Sequence, residues 1–283
     1  MAEITASAVK MLRDQTGAGM MDCKRALADA DGDGGKAIEL LRERGLAKAG
    51  KRSGRATSEG IIGMALGGSF AAVIELGSET DFVAKTDEFQ AAAAEIAEAV
   101  ASTPGVSSVA EALAAKLGDG SIEDRVGAVA SKVGENIVLK RVGRLEVASG
   151  ITGGYIHAGG KLGVIVAIGN AGTGADALAK DIAMHVAATD PTPIAVDRDG
   201  VDVALVEKER ELLGRQAAQT GKPENVIARI VEGRMGKFFQ EFCLVEQPFV
   251  KDPDRAVGDL LTEGASIEGF VRFKVGEASS EDE

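Results

Sequence analysis

The chain has 283 residues, 44 acidic against 32 basic side chains, a net charge of -12, no Trp, one Tyr and two cysteines. That balance excludes a protein whose whole surface grips nucleic acid or an anionic membrane, and Cys23 and Cys243 alone exclude a disulfide scaffold or a zinc finger. No apolar run reaches the ~18 residues of a spanning helix and the start lacks the pattern of a signal peptide, so a cytoplasmic protein of about two domains is expected.

Residues 1–55 form a basic island, with eleven Lys or Arg against eight Asp or Glu in a chain that is acidic elsewhere. Ile4, Ala8, Met11 and Leu12 place one apolar stripe on a short helix that Gly17 closes in a left-handed cap. Cys23, Ala26, Leu27 and Ala30 mark a second helix ending at Gly32, and Ala37, Ile38 and Leu41 a third ending at Gly45. Met20 and Met21 are adjacent and cannot both face the core, so one is expected to look outward, as adaptable Met does on partner surfaces. Asp29 to Gly34 reproduces the first six positions of a calcium loop, but position twelve is Leu40 where a bidentate Glu is needed. Solvated turn carboxylates and no metal requirement are expected. Arg42 to Arg55, broken by Gly45, Gly50, Ser53 and Gly54, reads as a helix end and a flexible linker, with a domain boundary near residue 55.

From Gly60 the period changes. Ile61 to Leu66 and Phe70 to Leu76, joined by Gly-Gly-Ser, read as a β-hairpin. Asp81 to Val83 and the Ala-rich stretch Glu88 to Ala101 read as helix, Ser108 with Glu111 and Ser121 with Asp124 as capped helix starts, and Asn136 to Val147 as a closing strand. The order then recurs: a hairpin through Gly154 to His157 and Lys161 to Ile168, a helix from Ala175 to Ala188, and a strand from Ser266 to Val275. Val201 to Gln219 and Pro223 to Gln240 give an antiparallel helical hairpin with few apolar positions for its length, and the acidic end 277–283 is expected to be disordered. The fold class is α+β. Its expected units are 1–55, a core N-subdomain 56–147, a core C-subdomain 148–276 with the hairpin at about 200–240 inserted, and the tail 277–283.

Catalytic equipment is scarce. His157 and His185 are the only histidines, neither has a Cys or His at ligand spacing, and no G-x-S-x-G turn occurs. His185 falls on an apolar helix face and reads as a satisfied core imidazole, whereas His157 ends a strand and is the surface candidate. Gly169 to Gly174 lies between a strand and a helix, where amides cradle phosphate in some folds, but lacks the G-x-G-x-x-G spacing; a Gly-rich connection is the plainer reading. Phe82 follows a polar loop and an acid, and spacing alone favours an anchor of that loop over a plug for a pocket elsewhere.

Leu12 to Leu27, containing Asp-Gln-Thr-Gly-Ala-Gly-Met-Met, and Glu79-Thr-Asp-Phe-Val83 resemble the two signatures of bacterial elongation factor Ts. Lys132 to Ile137, Met184 to Ala188, Gly221 to Pro223, Val231 to Met235 and Gln247 to Phe249 match that family in order, over nearly the whole chain. The resemblance implies a ubiquitin-associated-like three-helix unit, two α+β subdomains, an inserted coiled coil, and guanine nucleotide exchange on the GTPase elongation factor Tu without covalent chemistry or cofactor. It reverses the reading of Phe82: Asp81 and Phe82, in the turn Thr80 to Val83, become the pair inserted between two helices of the GTPase near its magnesium site. Met20, Met21, Val133 and His157 become further partner contacts, and self-association through the hairpin a possibility to test. Two departures stand out. Gly77 replaces the usual Asn before the Asp-Phe pair and is expected to loosen that loop. The acidic end follows soon after Val275, where longer members carry a helix that touches the GTPase, so that contact is expected to be absent.

Overall fold

The computed structural model describes residues 4–52 and 54–277; Ser53 of the expected linker and residues 278–283 of the acidic tail lie outside the described residues. Helix α1, Ala6–Thr16, begins where Thr5 Oγ1 accepts from Ala8 N (3.2 Å) and ends where Gly17, at φ 66°, donates to the Arg13 carbonyl. Its buried stripe runs through Val9 and Leu12, and Met11 is exposed, so the apolar face is rotated by one residue from the expected one. Helix α2, Met20–Asp29, buries Cys23, Ala26 and Leu27. Helix α3, Gly34–Arg52, runs straight through Gly45 and most of the expected linker. Gly45 is not a cap: a Cβ there would stand 3.2 Å from the exposed Ser131 Oγ, so it marks a close approach to the following domain. Arg52 Nη1 donates to the Ala130 carbonyl (2.9 Å) and Arg42 pairs with Asp124, docking the second half of α3 on the core.

The core repeats one plan twice. Strands β1 (Glu59–Leu66) and β2 (Phe70–Ser78) form a hairpin, helices α4 (Asp81–Ala84), α5 (Asp87–Ser102) and α6 (Val109–Ala114) follow, and the small hairpin β3 (Lys116–Leu117) and β4 (Gly120–Ser121) leads into α7 (Ile122–Val133). Both expected capping boxes, at Ser108 and Ser121, are formed. Strand β5 (Val138–Glu146) closes an antiparallel sheet of order β1-β2-β5. The second pass has hairpin β6 (Gly150–Ile156) and β7 (Leu162–Gly169), helix α8 (Ala175–Ala188), the helix pair α9 (Val203–Ala218) and α10 (Glu224–Phe242), and a short pair β8 (Pro248–Phe249) and β9 (Asp252–Ala256). Strand β10 (Ser266–Lys274) then completes the order β6-β7-β10. The likeness extends to single residues. Gly60 faces Gly77 as Gly150 faces Gly169, and each closing strand bulges at its third residue, Lys140 or Glu268. Ile62 N donates to the Gly160 carbonyl (2.8 Å) as Thr152 N donates to that of Gly68 (2.6 Å), so each hairpin turn ties down the opposite half.

The two sheets pack face to face through Ile62, Ala71, Val73 and Ile165, and helices cover their outer faces. Ala72, Ile74 and Leu76 meet Phe89 and Ile96 of α5; Val164, Val166 and Ile168 meet Ile182 and Val186 of α8. Strands β2 and β7, central in their sheets and covered on both sides, therefore read as apolar runs, broken in β2 by Glu75. Equivalent glycines allow the helices in: a Cβ on Gly63 would lie 2.4 Å from the Ala93 carbonyl, and one on Gly153 2.5 Å from Ala179 Cβ. An ion pair that periodicity does not reveal links the sheets: Arg141 Nε donates to Oε2 of the buried Glu75 (2.7 Å) within the first sheet, and its guanidinium stacks 4.6 Å over the Phe273 ring of the second. Helices α9 and α10 bury only Leu213, Ala217, Val231 and Met235 along their seam. Among the described residues, no helix is long and apolar enough to cross a membrane.

Candidate functional site

Thr80 caps helix α4, so the next two residues leave the sheet as a single exposed turn. Phe82 is 79% exposed, the most exposed large apolar side chain among the described residues, while Val83 beside it is buried against the core of the first half. The alternation has a physical cause. Val83 and Ala84 form the inner side of the one-turn helix, and Phe82 cannot follow them inward because consecutive helical residues point about 100° apart. Val83 is thus the anchor of the turn, and Phe82, exposed, is not.

The turn is tied from both sides by the segment after α7. Gly134, at φ 81°, caps α7 in left-handed conformation and turns the chain back, so that Glu135 and Asn136 lie against residues 79 and 80. Thr80 N and Oγ1 donate to the two carboxylate oxygens of Glu135 at 3.0 and 2.6 Å. In return Asn136 N donates to Glu79 Oε1 at 2.6 Å, and Asn136 Nδ2 donates to the Arg55 carbonyl at 2.9 Å. The Asn136 amide, with Arg55 behind it, holds the Glu79 carboxyl below its usual range. Gly77, expected to loosen this loop, does not lie in it. It lies inside β2, buried and paired with Gly60, under the Lys140 side chain that a Cβ would meet at 2.8 Å.

Charges alternate around the exposed face. Lys85 Nζ donates to Asp81 Oδ2 (2.6 Å) and, with Lys161 acting in the same sense, keeps the Asp81 carboxyl below its ordinary value. Lys161 in turn bonds Glu59 (2.6 Å). Through that pair and the Ile62 to Gly160 bond, the second hairpin's turn is brought beside Asp81, and with it His157, exposed, with Nδ1 3.0 Å from Tyr155 Oη. On the other side, a cleft of ≈440 Å³ lined by Gly19, Arg44, Arg55 and Gly134 separates the start of α2 from the end of α7. Met20 and Met21 are 58% and 63% exposed at that start; both look outward, because α2 begins there and its buried stripe opens only at Cys23. Val133 is half-buried on α7. The residues come from four separate stretches of the chain: Thr80, Asp81 and Phe82 share the tied turn, Val133 precedes the segment that ties it, His157 lies in the hairpin whose Lys161 acts on Asp81, and Met20 and Met21 open α2.

Other candidates resolve as structure. His185 is fully buried: Nδ1 accepts from Val250 N (3.2 Å), so Nε2 carries the proton and donates to Gln247 Oε1 (2.9 Å). Gln247 Nε2 donates onward to the carbonyls of Pro191 and Glu241, so this network pins the irregular segment after α10 to the second half. Gly169 to Gly174 starts α8 with no side-chain cap. No group of three or more His, Cys, Asp or Glu placed to hold a metal occurs among the described residues. Sequence reasoning passed over Glu135, Asn136 and Lys161 as individual residues; only the motif Lys132 to Ile137 flagged the first two.

The family profile described as Elongation factor TS matches residues 79–277, from the glutamate of the tied turn to the end of the second sheet. The protein "Elongation factor Ts" of Hyphomonas neptunium is 45% identical, over 98% of this chain and 93% of that protein. With a match of that extent in sequence and a profile that opens on Glu79 itself, the chain belongs to the elongation factor Ts family.

Proposed function

We propose that the chain is a guanine nucleotide exchange factor that binds elongation factor Tu in its GDP form and promotes GDP release, so that GTP can rebind. The observation that carries this reading is a bulky ring, 79% exposed, on a turn tied by three side-chain and backbone hydrogen bonds to a distant segment. An exposed Phe costs solubility, and a rigid one suits insertion, because little conformational entropy remains to be lost on binding. Phe82 enters between two helices of the GTPase near its magnesium site, with Asp81 beside it, while Met20, Met21, Val133 and His157 supply the surrounding contact. Nucleotide in such a GTPase is held partly through Mg²⁺ bridging phosphate oxygens, so favouring a geometry with displaced switch helices weakens nucleotide binding without bond chemistry. Linkage makes the effect reciprocal: bound GDP weakens the grip of the factor by the same ratio.

In this reading residues 1–55 are a ubiquitin-associated-like docking unit, 56–147 and 148–276 are two related subdomains, and α9 with α10 is an inserted coiled coil. The factor works in the cytoplasm and takes no cofactor. Stopped-flow release of a fluorescent GDP analogue from elongation factor Tu tests it. Acceleration by substoichiometric amounts of the chain, with no nucleotide bound by the chain alone, is expected; a chain that binds the GTPase and leaves the GDP off-rate unchanged is a scaffold. Sedimentation of the free chain decides whether the hairpin pairs two copies.

A further inference from the structure

The motif Lys132 to Ile137 has a use that partner contact at Val133 does not explain. We infer that Glu135, Asn136, Glu79 and the Thr80 hydroxyl are positioning residues: a crossed latch that fixes the direction of the Phe82 ring before any partner arrives. Two carboxylates are exchanged between two segments. Glu135 takes the amide and hydroxyl of Thr80, and Glu79 takes the amide of Asn136. The Thr80 hydroxyl is used twice, since it donates to Glu135 at 2.6 Å and accepts from Val83 N at 3.4 Å, so one side chain sets both where α4 starts and how it is rotated. Ser78 Oγ, donating to the Thr80 carbonyl (2.9 Å), fixes the remaining peptide group.

The molecule carries its own control. The second half repeats the passage from the second hairpin strand to the helix, and there the chain goes from Gly169 through Asn170 to Gly174 and into α8. Among the described residues no carboxylate bonds that turn; its amide at Asn170 goes to the Ser149 carbonyl, and α8 starts on Gly174 without a side-chain cap. The fold thus makes this strand-to-helix passage without a latch. The latch is present only in the half whose turn carries an exposed aromatic ring, which assigns it to the ring rather than to the turn. Charged acceptors suit the task, since hydrogen bonds to carboxylates are shorter and about twice as strong as neutral ones.

The inference rests on the exchange reading for its consequence but has a test in the free protein. The chain has no Trp, so Phe82→Trp places the sole indole at the tip of the turn. Its anisotropy decay is expected to follow whole-molecule tumbling, and to gain a large nanosecond component when Glu135→Gln or Thr80→Val is added, with thermal melts close to the parent; Thr80→Ser restores the slow decay. Equal decays with and without Glu135→Gln overturn the latch, as does a Thr80→Ser variant as mobile as Thr80→Val. In exchange assays with Phe82 present, Glu135→Gln lowers maximal GDP release about 10- to 100-fold, the scale of a misplaced reacting group. It changes nothing further in a Phe82→Ala background. A Glu135→Gln loss of equal size in both backgrounds means general damage and overturns the positioning role. Phe82→Ala with undiminished exchange sinks the exchange reading instead, and the indole decay still reports on the latch.

Discussion

At the scale of single residues, a tied carboxylate and a buried imidazole each give the protein a signature as pH falls. Glu79 has a folded pKa below its ordinary 4.5, chiefly from the Asn136 amide. A carboxyl depressed in this way adds stability that is present above the unfolded value and is lost as pH falls through the folded one. Melting temperature should therefore fall below pH ~4.5, and less steeply in Glu79→Gln; parallel curves for the two proteins would contradict the tied carboxylate. His185 shifts down as well, by burial, with the Gln247 bond opposing. Its stabilisation is complete above the unfolded value of about 6.5 and declines below it, because the folded core resists the charged ring and Val250 N already donates to Nδ1. Between about pH 7.5 and 5.5 the wild type should lose melting temperature that His185→Gln, less stable throughout, does not lose further.

At the scale of elements, glycine is where a lone sequence misleads, since the same residue marks a cap, a bulge or a close approach. Gly17 was legible as a left-handed cap, whereas Gly134, which caps α7 in the same way, was not singled out. Gly45 read as a helix end and is a contact point on α7, and Gly77 read as part of a loose loop and lies in a strand. The hairpins were legible because period-two runs flank Gly-rich turns, and the capping boxes because both partners sit three residues apart. The segment from Leu244 to Leu260 was not, because its strands are two and five residues long, contain Pro and owe their place to Leu244, Phe249 and Val257 in the core. The distinction among glycines is measurable. Gly63→Ala drives a Cβ against the Ala93 backbone carbonyl at 2.4 Å and should cost about 1 to 3 kcal/mol as overpacking, with Gly153→Ala alike. Gly45→Ala meets an exposed Ser131 hydroxyl at 3.2 Å that rotates away, so helix propensity prevails and stability should rise by up to about 1 kcal/mol. Denaturant melts showing the same sign for Gly45→Ala and Gly63→Ala would refute this division.

For the whole molecule, the layered pair of sheets brings turns from the two halves together, and α3 docks the N-terminal helices on α7, the helix that leads into the segment tying the turn. The apolar pattern made the two halves legible, but not the pairing that brings Glu135 to Thr80, fifty-five positions away, nor Lys161 to Asp81. Periodicity reports which face is buried and carries no information on which polar groups meet across it. Removing residues 1–55 should leave circular dichroism of the sheets intact while exposing the α7 face and weakening affinity for the GTPase, since Met20 and Met21 go with the helices; an unfolded remainder would show that α3 is part of the core.

The most direct measurement is GDP release by Phe82→Ala beside a thermal melt of the free factor. A ring that enters a partner pocket should cost about 2 to 4 kcal/mol on truncation, or roughly 30- to 700-fold in productive binding, with Asp81→Ala milder. Since the ring is 79% exposed, the melt should match wild type. A Phe82→Ala protein that melts well below wild type, with its folded fraction still releasing GDP at the normal rate, would contradict the account.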